Sequence, residues 1–246
     1  MDLIFSDVHA NLAALEAVMR DAERYKPDRV VCLGDTVGYG PEPVECLEVV
    51  REYCDIILMG NHEHAVVHGA DGFNPIAEEA VAWTRQQLLG RFGREILEYI
   101  DSLKSAHMDG NVLFVHGSIK DPLMDYVREA DSYASFRRLV ETIRQDFQSF
   151  DTCFTGHNHR AFLGTDEGFL YPHEVVHRFF VKNSKLYVCV GSVGQPRDGD
   201  PRACYVTFDG EWVDYHRVEY DIERTAKKIT ERKLHPFLAE RLFAGQ

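Results

Sequence analysis

The chain has 246 residues, 45% of them hydrophobic, and carries 27 Lys and Arg against 40 Asp and Glu, a net charge of −13. Such a composition is ample for the core of a single domain, and its acidity argues against a protein whose main surface grips a nucleic-acid backbone with cations. No apolar run approaches the ~20 residues of a membrane span, a strand-like run begins within three residues of Met1 and leaves no room for a signal peptide, and six Cys without a CxxC pair suit a reducing cytoplasm.

Leu3-Ile4-Phe5 reads as a strand buried on both faces, with Ser6-Asp7-Val8-His9 at its carboxyl end. Residues 11–24 place Leu12, Leu15, Val18 and Met19 at helical spacing. Val30-Val31-Cys32-Leu33 is the next buried strand and ends in Gly34-Asp35; residues 41–53 then read as a helix through Val44, Leu47 and Val50. Ile56-Ile57-Leu58-Met59 runs into Gly60-Asn61-His62. Asn74-Pro75, an N-cap followed by proline at the first helical position, opens a helix to about residue 89, and residues 94–103 continue as another. Asp109-Gly110 is a hairpin signal before Val112-Leu113-Phe114-Val115, which ends in His116-Gly117. A helix is expected over 132–147, then the strand Thr152-Cys153-Phe154 and Gly156-His157-Asn158-His159. Strands follow over 175–181, 186–190, 203–208 and 212–218, the last two joined by Asp209-Gly210. From Asp221, Ile222, Ala226 and Ile229 recur at helical spacing, and the helices over 221–244 are expected to pack on a single domain spanning 1–246.

The five strand-end motifs supply two Asp, two Asn and five His, enough to hold two divalent cations and leave one imidazole for proton transfer. A dinuclear site needs an oxygen donor that reaches both ions, which sit roughly 3.5–4 Å apart, and Asp35 is the natural bridge. In open α/β sheets, loops at the carboxyl ends of strands converge on one crevice, so residues distant in sequence meet there. Each motif alone is weak, since a lone His is as readily a hydrogen-bonded core residue and Gly-Asp a helix-capping turn. Their joint order is the signal.

That order, DxH, GD, GNH, an isolated His and GHxH, resembles the signature of the calcineurin-like metallophosphoesterase superfamily, over about two thirds of the chain. The resemblance implies an α/β fold, a four-layer α/β/β/α sandwich of two mixed β-sheets flanked by helices. It also implies one metal held by Asp7, His9, Asp35 and His159 and another held by Asp35, Asn61, His116 and His157, with His62 left as the catalytic histidine. The implied activity is metal-dependent phosphoester hydrolysis by a hydroxide shared between the metals, with His62 as general acid. Nitrogen and oxygen donors without thiolate suit two transition-metal ions, Mn²⁺ first, with Fe, Ni²⁺ or Zn²⁺ behind it, rather than Ca²⁺ or Mg²⁺.

One departure bears on substrate. Protein Ser/Thr phosphatases and symmetrical dinucleoside tetraphosphatases carry an Arg four residues after the second-motif Asp, and the Ser/Thr phosphatases have an acidic residue just before it. This chain has Gly38 and Tyr39 at those positions. Together with the loop over 191–202, that difference resembles a small, prokaryotic, YfcE-like phosphoesterase branch, which implies a small phosphoester substrate, diester or monoester. Gln195, Arg197, Tyr39 and Arg160 are the candidate substrate-binding residues. Two alternatives stand beside this: a nuclease of the same superfamily, disfavoured by acidity and by the lack of a DNA-binding extension, and a non-catalytic scaffold, which has no need of His62. Neither nucleic acid nor membrane is an expected partner, and nothing in the sequence sets the oligomeric state.

Overall fold

Short Val- and Ile-rich segments bounded by Gly, Asp and Pro alternate with helical patterns through the first half of the chain, and short strands dominate the second. The structure, a computed structural model, describes residues 1–127, 137, 138, 140, 141, 145, 147–173 and 176–246. In chain order the first half contains β1 (Asp2–Phe5), α1 (Leu12–Ala22), β2 (Arg29–Cys32), α2 (Pro43–Tyr53), β3 (Ile56–Ile57), α3 (Asn61–His68), α4 (Pro75–Phe92), α5 (Glu95–Asp101), β4 (Ala106–Asp109) and β5 (Val112–Val115). The second contains β6 (Thr152–Thr155), β7 (Ala161–Thr165), β8 (Phe169–Leu170), β9 (Arg178–Phe180), β10 (Leu186–Val190), β11 (Ala203–Phe208), β12 (Trp212–Val218), α6 (Ile222–Glu231) and α7 (Phe237–Ala244).

The strands form two six-stranded mixed sheets, ordered β3-β2-β1-β11-β12-β9 and β4-β5-β6-β10-β7-β8. In the first, β1, β2 and β3 are parallel; in the second, β5, β6 and β10 are. Five of these six strands carry the motif loops at their carboxyl ends and β10 carries the loop over 191–202, so the parallel portions of both sheets aim their loops at one place. Between the sheets lies a core that includes Ile4, Val31, Leu33, Phe114, Phe154, Val188 and Val206. On the outer face of the first sheet, Leu3, Phe5 and Tyr205 pack under Leu15 and Val18 of α1 and Cys46 and Val50 of α2. Tyr187, Phe162 and Cys153 on the outer face of the second pack with Phe147 and Phe150. Helices flank the pair of sheets, giving the four-layer α/β sandwich expected from the motif order.

Capping fixes where the helices start. Asn11 Oδ1 accepts the Ala14 N–H at 3.3 Å, Asn74 Oδ1 accepts the Ala77 N–H at 3.1 Å with Pro75 at the first helical position, and Asp221 Oδ1 accepts the Arg224 N–H at 2.9 Å. α4 runs to Phe92, three residues beyond its expected end, and stops where Gly93 takes a left-handed φ of 72°. Ile229, Leu234, Leu238 and Leu242 of the C-terminal segment cluster with Ala80 of α4 and half-buried Trp83. The elements not read from the sequence are short: α3 hidden inside the third motif, β7, β8, and β4, whose hairpin with β5 turns at Asp109-Gly110. The helix expected over 132–147 falls largely outside the described residues. The strand expected from residue 175, itself outside them, is β9.

Candidate metal centre

Main-chain hydrogen bonds bring the loops together. Asp7 N–H donates to Gly34 O at 3.0 Å, His9 N–H to Asp35 O at 2.9 Å, and Gly194 N–H to Asp7 O at 2.9 Å, which joins the loops after β1, β2 and β10. Gly156 N–H donates to His116 O at 3.0 Å, and His157 N–H to Asp7 Oδ2 at 3.0 Å, so the second sheet's loops are tied to each other and to the first sheet's. The fit is too close for a side chain at Gly34, where a Cβ would stand 2.5 Å from Gly60 N. Asp7, His9, Asp35, Tyr39, His157 and His159 all have left-handed backbone, with φ between 46° and 67°. A non-glycine residue there costs about 1–2 kcal/mol, and strain gathered on candidate ligands is the kind retained at functional sites.

Four histidines have one ring nitrogen engaged by a backbone carbonyl. His9 Nδ1–H donates to Val37 O at 3.2 Å, His159 Nδ1–H to Gln195 O at 2.6 Å, His116 Nδ1–H to Leu33 O at 3.2 Å and His157 Nε2–H to Met124 O at 3.2 Å. This pattern assigns the tautomers and leaves the other nitrogen of each ring a bare lone pair. The bare nitrogens then face one another in pairs: His9 Nε2 lies 3.1 Å from His159 Nε2, and His116 Nε2 lies 3.2 Å from His157 Nδ1. Two lone pairs cannot hydrogen-bond, so each pair calls for a cation. Asp35 Oδ2 sits between them, 3.6 Å from His9 Nε2 and 3.4 Å from His116 Nε2. Asp7 Oδ1, 3.3 Å from His159 Nε2, is buried without a hydrogen-bond partner, and Asn61 Oδ1 is 3.1 Å from His116 Nε2. The seven residues expected as ligands therefore converge in two groups about a shared carboxylate, and the donor set fits two transition-metal ions.

Electrostatics point the same way. Burial, reinforced for His9 by His62 and for His159 by Arg197, holds both imidazoles well below their usual range, and burial brings His157 down to about 3. All three are neutral, as metal binding requires. Burial lifts Asp7 to about 7, with Asp35 adding to the rise. Burial opposes charge on Asp35 as well, but His116 and His62 hold its carboxyl well below the usual carboxylate range. At His116 burial works downward, yet Asp35, Asp7 and Glu63 together raise it to about 9. A proton on His116 answers the uncompensated negative charge that divalent cations would neutralise.

His62 is buried beside these groups, its N–H donating to Asp35 Oδ1 at 2.8 Å. Its Nδ1 has no hydrogen-bond partner and lies over Gly38, where any Cβ would strike the ring. The imidazole packs 4.7 Å from His9, 4.4 Å from Tyr39 and 5.1 Å from Phe73, and burial brings it down to about 4. An open cleft of about 270 Å³ reaches Asp35, Asn61, His62, His157 and His159, with Tyr39, Phe73, Met124, Tyr126 and Arg197 also lining it. Tyr126 stacks on His157, ring centroids 3.7 Å apart. Gln195 is buried, its Oε1 accepting from Arg197 Nη2 at 2.7 Å. Arg160 is exposed and outside the residues that line the cleft.

Glu63 is the residue that motif reading missed. Its buried carboxylate accepts four backbone N–H groups: Asp35 at 2.7 Å and Gly60 at 2.9 Å on Oε2, Thr36 at 2.8 Å and Val37 at 3.2 Å on Oε1. Burial and nearby Asp35 lift it to about 7 against the pull of those donors. The available signal was Gly60-x-x-Glu63 after a strand, a capping-box spacing in which the Glu reaches back to the N-cap N–H.

Residues 3–191 match the family described as Calcineurin-like phosphoesterase. The sequence is 35% identical over 256 residues to an uncharacterized protein, MJ0912, of Methanocaldococcus jannaschii, covering 100% of this chain and 98% of that protein. A crystal structure of a metallophosphoesterase from Sphaerobacter thermophilus superposes with a TM-score of 0.84 at 39% identity, over 100% of this chain and 98% of that one. The structure of hypothetical protein PH1004 from Pyrococcus horikoshii OT3 shares the fold at a TM-score of 0.79 and 17% identity, over 100% and 99%. Among the described residues no helix is long and apolar enough to cross a membrane. With the motifs and the fold, these matches make the chain a member of the calcineurin-like phosphoesterase family.

Proposed function

We propose that this chain is a phosphoesterase that hydrolyses small phosphodiesters or phosphomonoesters with two divalent transition metals, Mn²⁺ first among them. The observation that carries the reading is the face-to-face pairing of four buried imidazoles on either side of Asp35. Asp7, His9, Asp35 and His159 would hold one ion, and Asp35, Asn61, His116 and His157 the other. Bound there, the two ions would polarise the phosphoryl oxygens and acidify a water for attack at phosphorus. His62, buried at the cleft and outside both proposed ligand sets, would give a proton to the departing oxygen once the substrate's negative charge has raised its imidazole from about 4. Arg197 offers its guanidinium to the non-bridging oxygens, in place of the Arg absent at Tyr39. Phe73, Met124 and Tyr126 give the alcohol portion an apolar wall and keep water from the leaving side. The chain works as one domain, and its six cysteines, none of them in a disulfide, suit a reducing cytoplasm.

Elemental analysis of protein purified without chelator should find two transition-metal ions per chain, and Asp35→Asn should lose both together. One ion retained at full occupancy in that variant would rule out the bridging role. A panel of phosphomono- and phosphodiesters, each with Mn²⁺, Fe²⁺, Ni²⁺ and Zn²⁺, tests the activity, and no turnover with any combination would overturn it.

A further inference from the structure

Outside the five motifs, α3 carries a second pair of histidines. His64 and His68 stand one helical turn apart, and residues four apart share a helix face. Their ring centroids lie 4.5 Å from each other. A helix turns about 100° per residue, so His64 points roughly 200° away from His62, and neither member of the pair lines the cleft. Arg85 of α4 fastens the end of α3 by donating to Val66 O and, at 2.9 Å, to Val67 O.

His68 Nε2–H donates at 2.8 Å to Asp101 Oδ1, at the end of α5. A carboxylate only accepts, so in the neutral ring the proton is on Nε2 and Nδ1 keeps a bare lone pair; metal-ligating histidines usually have such a partner behind them. His64 makes no side-chain hydrogen bond among the described residues, and burial, with His68 beside it, holds its imidazole below the usual range. Zn²⁺ binds imidazole nitrogen at about 2.0–2.1 Å, and at a tetrahedral angle that separates two ring centroids by about 5 Å, so a slight opening of the pair admits an ion. Two His at this spacing on one helix face hold zinc in His-Glu-x-x-His helices. Here the run is His64-Ala65-Val66-Val67-His68, with no carboxylate between the imidazoles to act as a base, which makes it a place for binding and not for hydrolysis.

We propose that His64 and His68 form a third metal site, on the face of α3 turned away from the cleft, that takes one Zn²⁺, Ni²⁺ or Cu²⁺ ion, with Asp101 orienting His68 and water filling the remaining positions. Imidazole suits these ions, whereas Mn²⁺ stands at the weak end of the affinity order. The buried centre adds oxygen donors from Asp7, Asp35 and Asn61, so Mn²⁺ would fill it and pass the outer pair by. With two protein ligands the outer ion exchanges freely and leaves on desalting, while the buried centre would keep its own. The site does not depend on the chain being a phosphoesterase.

Equilibrium dialysis of the full chain against buffered free Zn²⁺ or Mn²⁺ over the micromolar range, with all bound metal counted together by elemental analysis, tests the site. The wild type should bind one more ion per chain with Zn²⁺ than with Mn²⁺. That extra ion should vanish in His64→Ala and in His68→Ala, while the ions of the buried centre stay. Asp101→Asn should weaken it roughly ten- to a hundred-fold, the usual cost of losing a carboxylate behind a ligating His. His68 and Asp101 are half-exposed, and circular dichroism checks that each variant folds; should a His variant unfold, Asp101→Asn carries the test. Equal counts with the two metals in the wild type would overturn the proposal, and so would an extra zinc that survives His68→Ala or binds Asp101→Asn unweakened. A failure of the phosphoesterase reading would show as absent turnover and leave the difference between the two metals as it is.

Discussion

Replacing Glu63 by Gln changes one atom and should unfasten the loop that carries Asp35. Each carboxylate oxygen accepts two backbone N–H groups, so whichever oxygen becomes an amide nitrogen, two buried N–H donors lose their acceptor and meet another donor. A hydrogen bond to a charged group is worth about 1.5–3 kcal/mol, so two such losses come to about 3–6 kcal/mol. For a chain of this size that corresponds to a fall in melting temperature of roughly 6–24 °C. Urea denaturation of metal-free wild type and Glu63→Gln, followed by far-UV circular dichroism, gives the stability difference directly. Metal titration should show both sites weakened, because the donors released are either Asp35 with Gly60 or Thr36 with Val37, each pair fixing the loop that carries Asp35. A stability loss under about 1 kcal/mol would refute the argument, since it would mean that Glu63 is already carried as the neutral acid, with a proton among those amides.

His62→Ala should keep its metal content and lose activity by roughly 10²–10⁴-fold, with a smaller loss for p-nitrophenyl esters, whose leaving group needs little protonation; equal losses across leaving groups would point to positioning instead. Arg197→Met should lower kcat/KM for p-nitrophenyl phosphate about ten-fold more than for bis-p-nitrophenyl phosphate, because the dianion depends more on the cation, and parallel losses would remove Arg197 from the substrate. His216 lies away from the metals, between Tyr25 OH at 3.1 Å and Thr207 Oγ1 at 2.9 Å, and burial brings it down to about 4. Its folded value is below the unfolded 6.5, so its contribution is complete above about pH 6.5 and is lost as pH falls toward 4; His216→Gln should flatten the stability profile over that window, and unchanged slopes in urea titrations would disprove it.

The candidate ligand set could be picked out because coordination restricts residue type and the fold restricts position. A carboxylate, an amide oxygen or an imidazole must stand one to four residues beyond a buried strand, and β1, β2, β3, β5 and β6 each announce themselves by an apolar run. The sandwich followed once those strand ends were read as one motif set. Glu63 was passed over since a Glu after a catalytic motif has the look of a solvated helix residue, and only its burial reveals four amides around it. Arg197 was within reach as a residue of a loop after a strand, the loop that follows β10. Arg160, adjacent to the last motif, is exposed and does not line the cleft.

The acceptors that hold the four candidate ligand imidazoles, at Val37, Leu33, Gln195 and Met124, are all main-chain carbonyls. Every residue type offers that oxygen, so no substitution at those four positions can delete it except by bending the loop. The identity of the side chains there is therefore free to drift over generations while ring orientation is inherited through the backbone path. Insertions and deletions are a different matter: one residue added between Leu33 and Val37 would shift two imidazoles at once. Natural variation should accordingly allow replacements at Leu33, Val37, Gln195 and Met124 while length changes across residues 33–37 stay rare, a pattern opposite to that of an ordinary surface loop.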